Sequence, residues 1–117
     1  DLPGHDRNAN YNLIYSEIST GWVVPKELRS RWKLILGDSK IELPRLLKEI
    51  TKIDVFFHDS DHSYENMKYE YNIVFPSLKN EGIILSDDIH KNNAFNEFIN
   101  QHNLRAIIFS KGGCLIK

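Results

Sequence analysis

The chain has 117 residues, and its 15 basic and 16 acidic side chains leave a formal net charge of −1 at pH 7. This balance argues against a nucleic-acid clamp, because the basic residues are scattered rather than gathered into a patch. The single cysteine excludes a disulfide framework and any metal site built from several cysteines. No apolar run approaches the roughly 20 residues that a membrane span needs. We therefore expect a cytoplasmic protein that binds neither nucleic acid nor membrane.

The hydropathy pattern divides the chain into two parts. Residues 1–31 are rich in turn-forming side chains and follow no sustained period, which predicts an irregular N-terminal arm. Pro25 is typical of the first position of a short helical turn. From residue 32 to residue 117, short apolar runs alternate with amphipathic stretches, as in a single α/β domain.

The elements of this domain follow from the pattern in chain order. Strands are predicted at 33–36, 53–57, 83–85, 105–109 and 114–116, and helices at 39–50, 64–78 and around 94–99. Near-continuous apolar strands separated by helices indicate a mostly parallel sheet with helices on both faces. The turn at Gly112 and Gly113 predicts that the chain ends in an antiparallel hairpin.

Acidic residues follow three successive predicted strands. Parallel strands bring their carboxyl ends to one edge, where ligands of open α/β sheets bind. Adjacent acids repel each other unless a positive group compensates, and several carboxylates together suit Mg²⁺, Mn²⁺ or Ca²⁺. Asp38 and Asp61 could instead cap the helices that follow them. The residues in question are Asp38, Asp59, Asp61, Asp87 and Asp88, with His62 and His90 close by in sequence.

Familiar catalytic motifs are missing from the sequence. It contains neither G-x-G-x-x-G nor G-x-x-x-x-G-K, so no phosphate-binding loop is visible, and it has no G-x-S-x-G. His58 adjoins an apolar run and is expected to be packed or hydrogen-bonded rather than a ligand.

Three strings resemble the later half of class I S-adenosylmethionine-dependent methyltransferases. They are G-D-S at 37–39, D-x-D-H-x-Y at 59–64 and G-(apolar)₃-S-D-D at 82–88. The resemblance is strongest to small-molecule O-methyltransferases related to caffeoyl-CoA and macrolide-sugar enzymes, and it covers nearly the whole chain. It implies a Rossmann-like fold from which the first strand and the glycine-rich loop of the family are missing, because both would precede Asp1.

The resemblance also implies roles for individual residues. Those similar to cofactor-binding positions for S-adenosylmethionine are Asp1 at the ribose, Asp38 and Ser39 at the adenine, and Asp59. Those similar to ligands of Mg²⁺ or another divalent cation in metal-dependent relatives are Asp59, Asp87 and Asp88. Asp61 and His62 occupy positions where such enzymes place a catalytic base.

The implied function is methyl transfer to a hydroxyl of a small molecule, with metal assistance in some relatives. With the glycine-rich loop missing, we expect this chain alone to be inactive and a poor binder of the cofactor, and a homo-oligomer to complete the sheet. Two alternatives stay open. A non-catalytic α/β binding or assembly module would keep the acids without methyl transfer, and a metal-dependent hydrolase would turn over without a methyl donor.

Overall fold

The computed structural model describes residues 21–117. Of these, residues 21–38 belong to one compact unit and Ser39–Lys117 form another. The first unit contains the expected helical turn, a 3₁₀ helix at Lys26–Arg31 that follows Pro25. Gly21 has a positive φ of 82°, and a side chain there would collide with the ring of Trp32. Asp1 lies outside the described residues.

The strand predicted at residues 33–36 is not formed in the described part of the chain. A strand exists only through the hydrogen bonds of a neighbouring strand, and a four-residue apolar run carries no such partner in its own sequence. The described sheet therefore has one parallel strand fewer than predicted. The predicted boundary between residues 31 and 32 is not tested by this difference and stays a prediction.

The second unit contains three α-helices and four strands, joined by short connections. In chain order these elements are α1 at Ser39–Glu49, β1 at Ile53–His58, α2 at Tyr64–Val74, β2 at Leu78–Ser86, α3 at Ala94–His102, β3 at Arg105–Phe109 and β4 at Gly112–Ile116. The second helix, predicted to extend to residue 78, ends at Val74, because a 3₁₀ turn containing Pro76 at Phe75–Ser77 replaces further α-helix.

The four strands form one mixed sheet in the order β1-β2-β4-β3. Strand β1 pairs in parallel with β2, and α2 is the crossover between them. The other two pairs are antiparallel, and β3 with β4 makes the predicted C-terminal hairpin. The α/β, Rossmann-like fold is thereby confirmed, with a sheet of mixed rather than mostly parallel pairing, because two of the three described strand pairs are antiparallel.

The hydrophobic core lies between one face of the sheet and the helices α2 and α3. Ile84 and Leu115, which are ladder partners, are buried on this face. The helices contribute the aromatic part of the core, and several rings meet edge-on or tilted. The buried helical residues are Met67, Tyr71, Val74, Ala94, Phe95 and Phe98.

The opposite face of the sheet is apolar and open in the described part of the chain. Because ladder partners point to the same face, the pairings place Phe57, Leu85, Cys114 and Ile107 in one row across all four strands. Phe57 and Ile107 are more than half exposed, as are Val55 and Phe109 on the same face. We call the exposed residues Val55, Phe57, Ile107 and Phe109 the open-face patch.

Within residues 21–117, no helix is long and apolar enough to span a bilayer.

Candidate functional site

The candidate site is built on the two loops that follow β1 and β2. His58 and Ser86 end these parallel strands side by side, so the loops at 59–63 and 87–93 leave the sheet at the same edge. Two hydrogen bonds join the loops: the Asp87 backbone N–H donates to the His58 carbonyl at 3.0 Å, and the Asn92 side-chain amide donates to the His62 carbonyl at 2.9 Å. The predicted convergence of these acidic loops is present.

Asp61 holds the start of α2. Its Oδ1 accepts from the Ser63 backbone N–H at 2.9 Å, and its Oδ2 accepts from the Ser63 hydroxyl at 2.9 Å. Ser63 is in turn the N-cap, accepting from the Asn66 backbone N–H. The backbone and side-chain hydrogen bonds from Ser63 lower the pKa of Asp61. Both oxygens of Asp61 are thus engaged in helix capping, which was the alternative role expected for it.

His62 lies at the centre of the site. Its side chain is 14% exposed, and its Nε2 is 3.9 Å from the Asp59 Oδ1. Among the described residues, this Nε2 atom is buried and has no hydrogen-bond partner. Asp59 is open by comparison, with a side chain 55% exposed. The pair therefore places a buried imidazole nitrogen beside an accessible carboxylate.

The adjacent acids at the end of β2 are compensated by a neighbouring cation. Lys91 Nζ forms an ion pair with Asp88 Oδ2 at 2.5 Å, and His90 Nδ1 lies 3.8 Å from Asp88 Oδ1. The hydrogen bond from Lys91 is the main cause that lowers the pKa of Asp88, and His62 and His90 contribute to the same effect. Asp88 also has a positive φ of 49°, in the left-handed region that Asp adopts more readily than most residues other than Gly.

Beneath the loop at 59–63 lies a buried carboxylate, Glu70. His58 Nδ1 is 2.8 Å from its Oε2. The Ser60 hydroxyl and the Asn66 amide donate to its Oε1 at 2.9 and 3.1 Å. Burial raises the pKa of Glu70, but hydrogen bonds from His58, Ser39 and Ser60 outweigh it and lower the pKa to about 2. Glu70 is therefore ionised in the core at neutral pH.

The positions similar to cofactor-binding residues are distributed over both units. Ser39 is the first residue of α1, and its hydroxyl hydrogen-bonds Glu70. Asp38 precedes it in the first unit. Asp59 is accessible at the end of β1, where its oxygens can accept from hydroxyl or amino donors. Their roles toward a cofactor stay predictions.

The predicted metal ligands do not form a recognisable metal site. Within residues 21–117, no three His, Cys, Asp or Glu side chains are grouped so that they could hold a metal ion. Asp88 forms an ion pair with Lys91, and the Asp59 Oδ1 lies 3.9 Å from the His62 Nε2. Metal binding by Asp59, Asp87 and Asp88 therefore stays a prediction.

Several residues of this region were missed from the sequence: Glu70, Asn66, Ser60, Lys91 and Asn92. Glu70 carried a signal, because it interrupts the apolar face that Met67, Tyr71 and Val74 form on α2. An acid at such a position requires a buried partner. The other polar residues lie in loops or on a helix turn, and their partners depend on the tertiary contacts.

A Rossmann-like α/β unit with acids and a histidine at the carboxyl ends of its parallel strands is an architecture that binds ligands at that edge. Residues 4–89 match the protein family described as "Methyltransferase domain", and the chain belongs to that family. No curated protein shows significant similarity to it. Family membership supports methyl transfer as the general activity and implies S-adenosylmethionine as the methyl donor.

Proposed function

We propose that the chain forms part of a methyltransferase site for the hydroxyl group of a small molecule, with His62 as the proton acceptor. The observation that carries this proposal is the Nε2 of His62, which is buried and has no hydrogen-bond partner among residues 21–117. It lies at the edge of the sheet where open α/β proteins bind ligands. An imidazole can take a proton near neutral pH. Asp61, the other candidate base, has both oxygens committed to Ser63.

The neighbours of His62 support this role. The Asp59 Oδ1 lies 3.9 Å from the Nε2 of His62, so an accessible carboxylate lies beside the nitrogen proposed to take the proton. The carbonyl of His62 is held by Asn92, so the loop that carries the imidazole is attached to the loop after β2. His62 is therefore both chemically suited to the task and fixed in place.

S-adenosylmethionine, when bound, supplies a sulfonium methyl group to an acceptor oxygen aligned with it. The residues we propose to hold it are Asp38, Ser39 and Asp59, together with Asp1, which lies outside the described residues. The chemistry fits, because carboxylate and hydroxyl oxygens accept hydrogen bonds from the hydroxyl and amino groups of an adenosine. Asp59 is sufficiently exposed to do so.

A labelled methyl donor tests the proposal. The chain, alone and within any longer protein that contains it, is incubated with methyl-labelled S-adenosylmethionine and a panel of phenols, catechols and sugars, and products are identified by NMR as O-methyl ethers. Because we expect the chain alone to be inactive, the variants are compared in the form that transfers methyl groups. We expect His62→Gln to lower kcat by about 10²–10⁴-fold, the range for loss of a general base. His90→Gln is the matched control, because His90 is a half-exposed histidine of the neighbouring loop, and we expect its activity within about threefold of the original.

The outcomes separate this proposal from its alternatives. Binding without transfer to any acceptor would support a non-catalytic module, and turnover with Mn²⁺ or Mg²⁺ in the absence of a methyl donor would support a hydrolase. Equal loss of activity in the His62 and His90 variants would contradict the role given to His62. We also propose a small-molecule acceptor as partner, no nucleic acid or membrane partner, a cytoplasmic location and self-association through the open sheet.

A further inference from the structure

Glu70 is a charged residue in a place where an apolar side chain would ordinarily pack. It is 3% exposed and lies among the core residues of α2. Removing an ionised carboxylate from water is costly unless hydrogen bonds compensate, and an apolar residue of similar volume is often as stable or more so. The burial of this charge therefore calls for a role besides core packing.

The donors to Glu70 come from four consecutive parts of the chain. His58 ends β1, Ser60 lies in the following loop, Asn66 lies in the first turn of α2 and Ser39 begins α1. Asn66 strengthens the link, because its amide also donates to the Asp61 carbonyl at 3.1 Å. One carboxylate thereby holds both the end of β1 and the backbone of the loop that carries His62.

The hydrogen bond to Glu70 also orients the ring of His58. An ionised carboxylate accepts only, so Nδ1 of His58 carries the proton that is shared with Glu70. The other nitrogen, Nε2, is buried and has no hydrogen-bond partner among the described residues. The His58 ring meets the His62 ring edge-on, with centroids 5.2 Å apart and planes at 77°. The position of one imidazole thus limits the rotamers open to the other.

From these contacts we propose that Glu70 is a positioning residue for His62. It fixes the His58 ring against which His62 packs, and through Ser60 and Asn66 it fixes the loop at 59–63. The proposal rests on the function proposed above for His62. Glu70 itself is buried beneath the loop and acts on the acceptor only through these neighbours.

Histidine side-chain NMR tests the proposal independently of activity. Long-range ¹H–¹⁵N correlation spectra report the tautomer of His58 and the environment of the His62 ring. In the original chain we expect the Nδ1–H form of His58. In Glu70→Gln we expect a mixture of tautomers for His58 and altered His62 resonances, because an amide can present either its acceptor oxygen or its donor NH₂ to Nδ1.

A milder variant and a matched control are measured beside Glu70→Gln. Ser60→Ala removes one donor to Glu70 and keeps the charge, so it tests the loop connection even if Glu70→Gln fails to fold. Glu97→Gln is the control, since Glu97 also accepts two side-chain hydrogen bonds, from Tyr64 and Lys68, without touching either histidine. We expect the His62 resonances to change in the first two variants and to stay unchanged in the control.

Kinetics supply the second measurement. Once a methyl acceptor has been identified, we expect Glu70→Gln to lower kcat by about 10- to 100-fold with KM nearly unchanged. The reason is that a misplaced catalytic group chiefly affects the geometry of the reacting atoms. Unchanged His62 resonances in both Glu70→Gln and Ser60→Ala would overturn the proposal. Altered resonances in a chain with no methyl transfer would refute the proposed function while supporting the positioning role of Glu70.

Discussion

At the scale of single residues, the direction of the pKa shift of Glu70, Asp61 and Asp88 depends on their hydrogen-bond partners more than on their burial. Glu70 is more buried than Asp61 or Asp88, yet hydrogen bonds lower the pKa of all three below the ordinary range. The partners differ in kind. Glu70 binds uncharged donors and an imidazole, Asp61 binds a helix cap and Asp88 binds Lys91. The site therefore keeps its carboxylates ionised by three separate local arrangements.

The pKa of Glu70 predicts how stability responds to acid. Its folded-state pKa of about 2 lies below the ordinary value of 4.5. The stability that its charge supplies is therefore present above about pH 4.5 and is lost as the pH falls toward 2. The shift corresponds to on the order of 3 kcal/mol. Urea unfolding between pH 7 and pH 2.5 should show the curves of the original chain and Glu70→Gln converging as the pH falls.

Glu97→Gln provides the comparison for this measurement. Glu97 is exposed, so its hydrogen bonds contribute little to stability in water. We expect Glu97→Gln to follow the acid dependence of the original chain closely. If Glu70→Gln does so as well, the buried charge does not contribute the stability assigned to it here.

At the scale of elements, Gly113 in β4 allows the helix α3 to approach this strand closely. A Cβ on Gly113 would lie 2.5 Å from Phe95 Cζ and 2.6 Å from its Cε1. Phe95 is fully buried in the core and cannot move aside without displacing its neighbours. A side chain at this position would therefore separate the helix from the sheet.

We accordingly expect Gly113→Ala to lower the free energy of unfolding by about 1–3 kcal/mol, the usual cost of overpacking. Gly112→Ala is the matched control in the same strand. Its Cβ would lie 2.7 Å from Cε2 of Phe109, a half-exposed side chain, and 3.1 Å from the Ser86 carbonyl oxygen. We expect a smaller cost, because the closest clash is with a ring at the surface rather than in the core. Equal midpoints of urea unfolding for the two variants would show that the packing against Phe95 is not the limiting contact.

At the scale of the whole molecule, the open face of the sheet is the main feature that the described helices leave uncovered. Sheets with parallel strands are usually covered on both faces, and large exposed apolar patches mark association surfaces. The open-face patch draws residues from β1 and β3, the two edge strands. A second copy of the chain presents the same apolar surface and can bury it against its equivalent.

We therefore expect the chain to self-associate with increasing concentration in sedimentation velocity experiments. Phe57→Glu places a charge in the patch and should shift the chain toward monomer. Leu36→Glu, which changes an exposed leucine of the first unit, should leave the sedimentation profile unchanged. A chain that sediments as a monomer at all concentrations, or equal behaviour of the two variants, would contradict self-association through this face.

The sequence predicted most of the second unit because its elements have strong local signals. The periodicity of residues 64–78, the glycine turn before β4 and the apolar runs of β1 and β3 each depend on neighbours within a few residues. The run at 33–36 had a similar composition but did not become a strand, because strand formation also needs a partner. The acids that follow β1 and β2 lie at one edge as predicted, because the ends of parallel strands share an edge. For Asp38 the same prediction stays untested, because the strand expected before it does not form.

What the sequence by itself determined is the order of elements in the second unit, the sheet edge at which the acidic loops after β1 and β2 meet, and membership of a methyltransferase-domain family. Only the tertiary structure decided what each polar residue does at that edge. There, Asp61 caps a helix, Asp88 pairs with Lys91 and Glu70 binds His58. The Nε2 of His62 has no hydrogen-bond partner within the described part of the chain. The physical reason is that hydrogen bonds and ion pairs act over about 3–4 Å. At that range, their partners depend on how distant segments pack, which local periodicity does not encode.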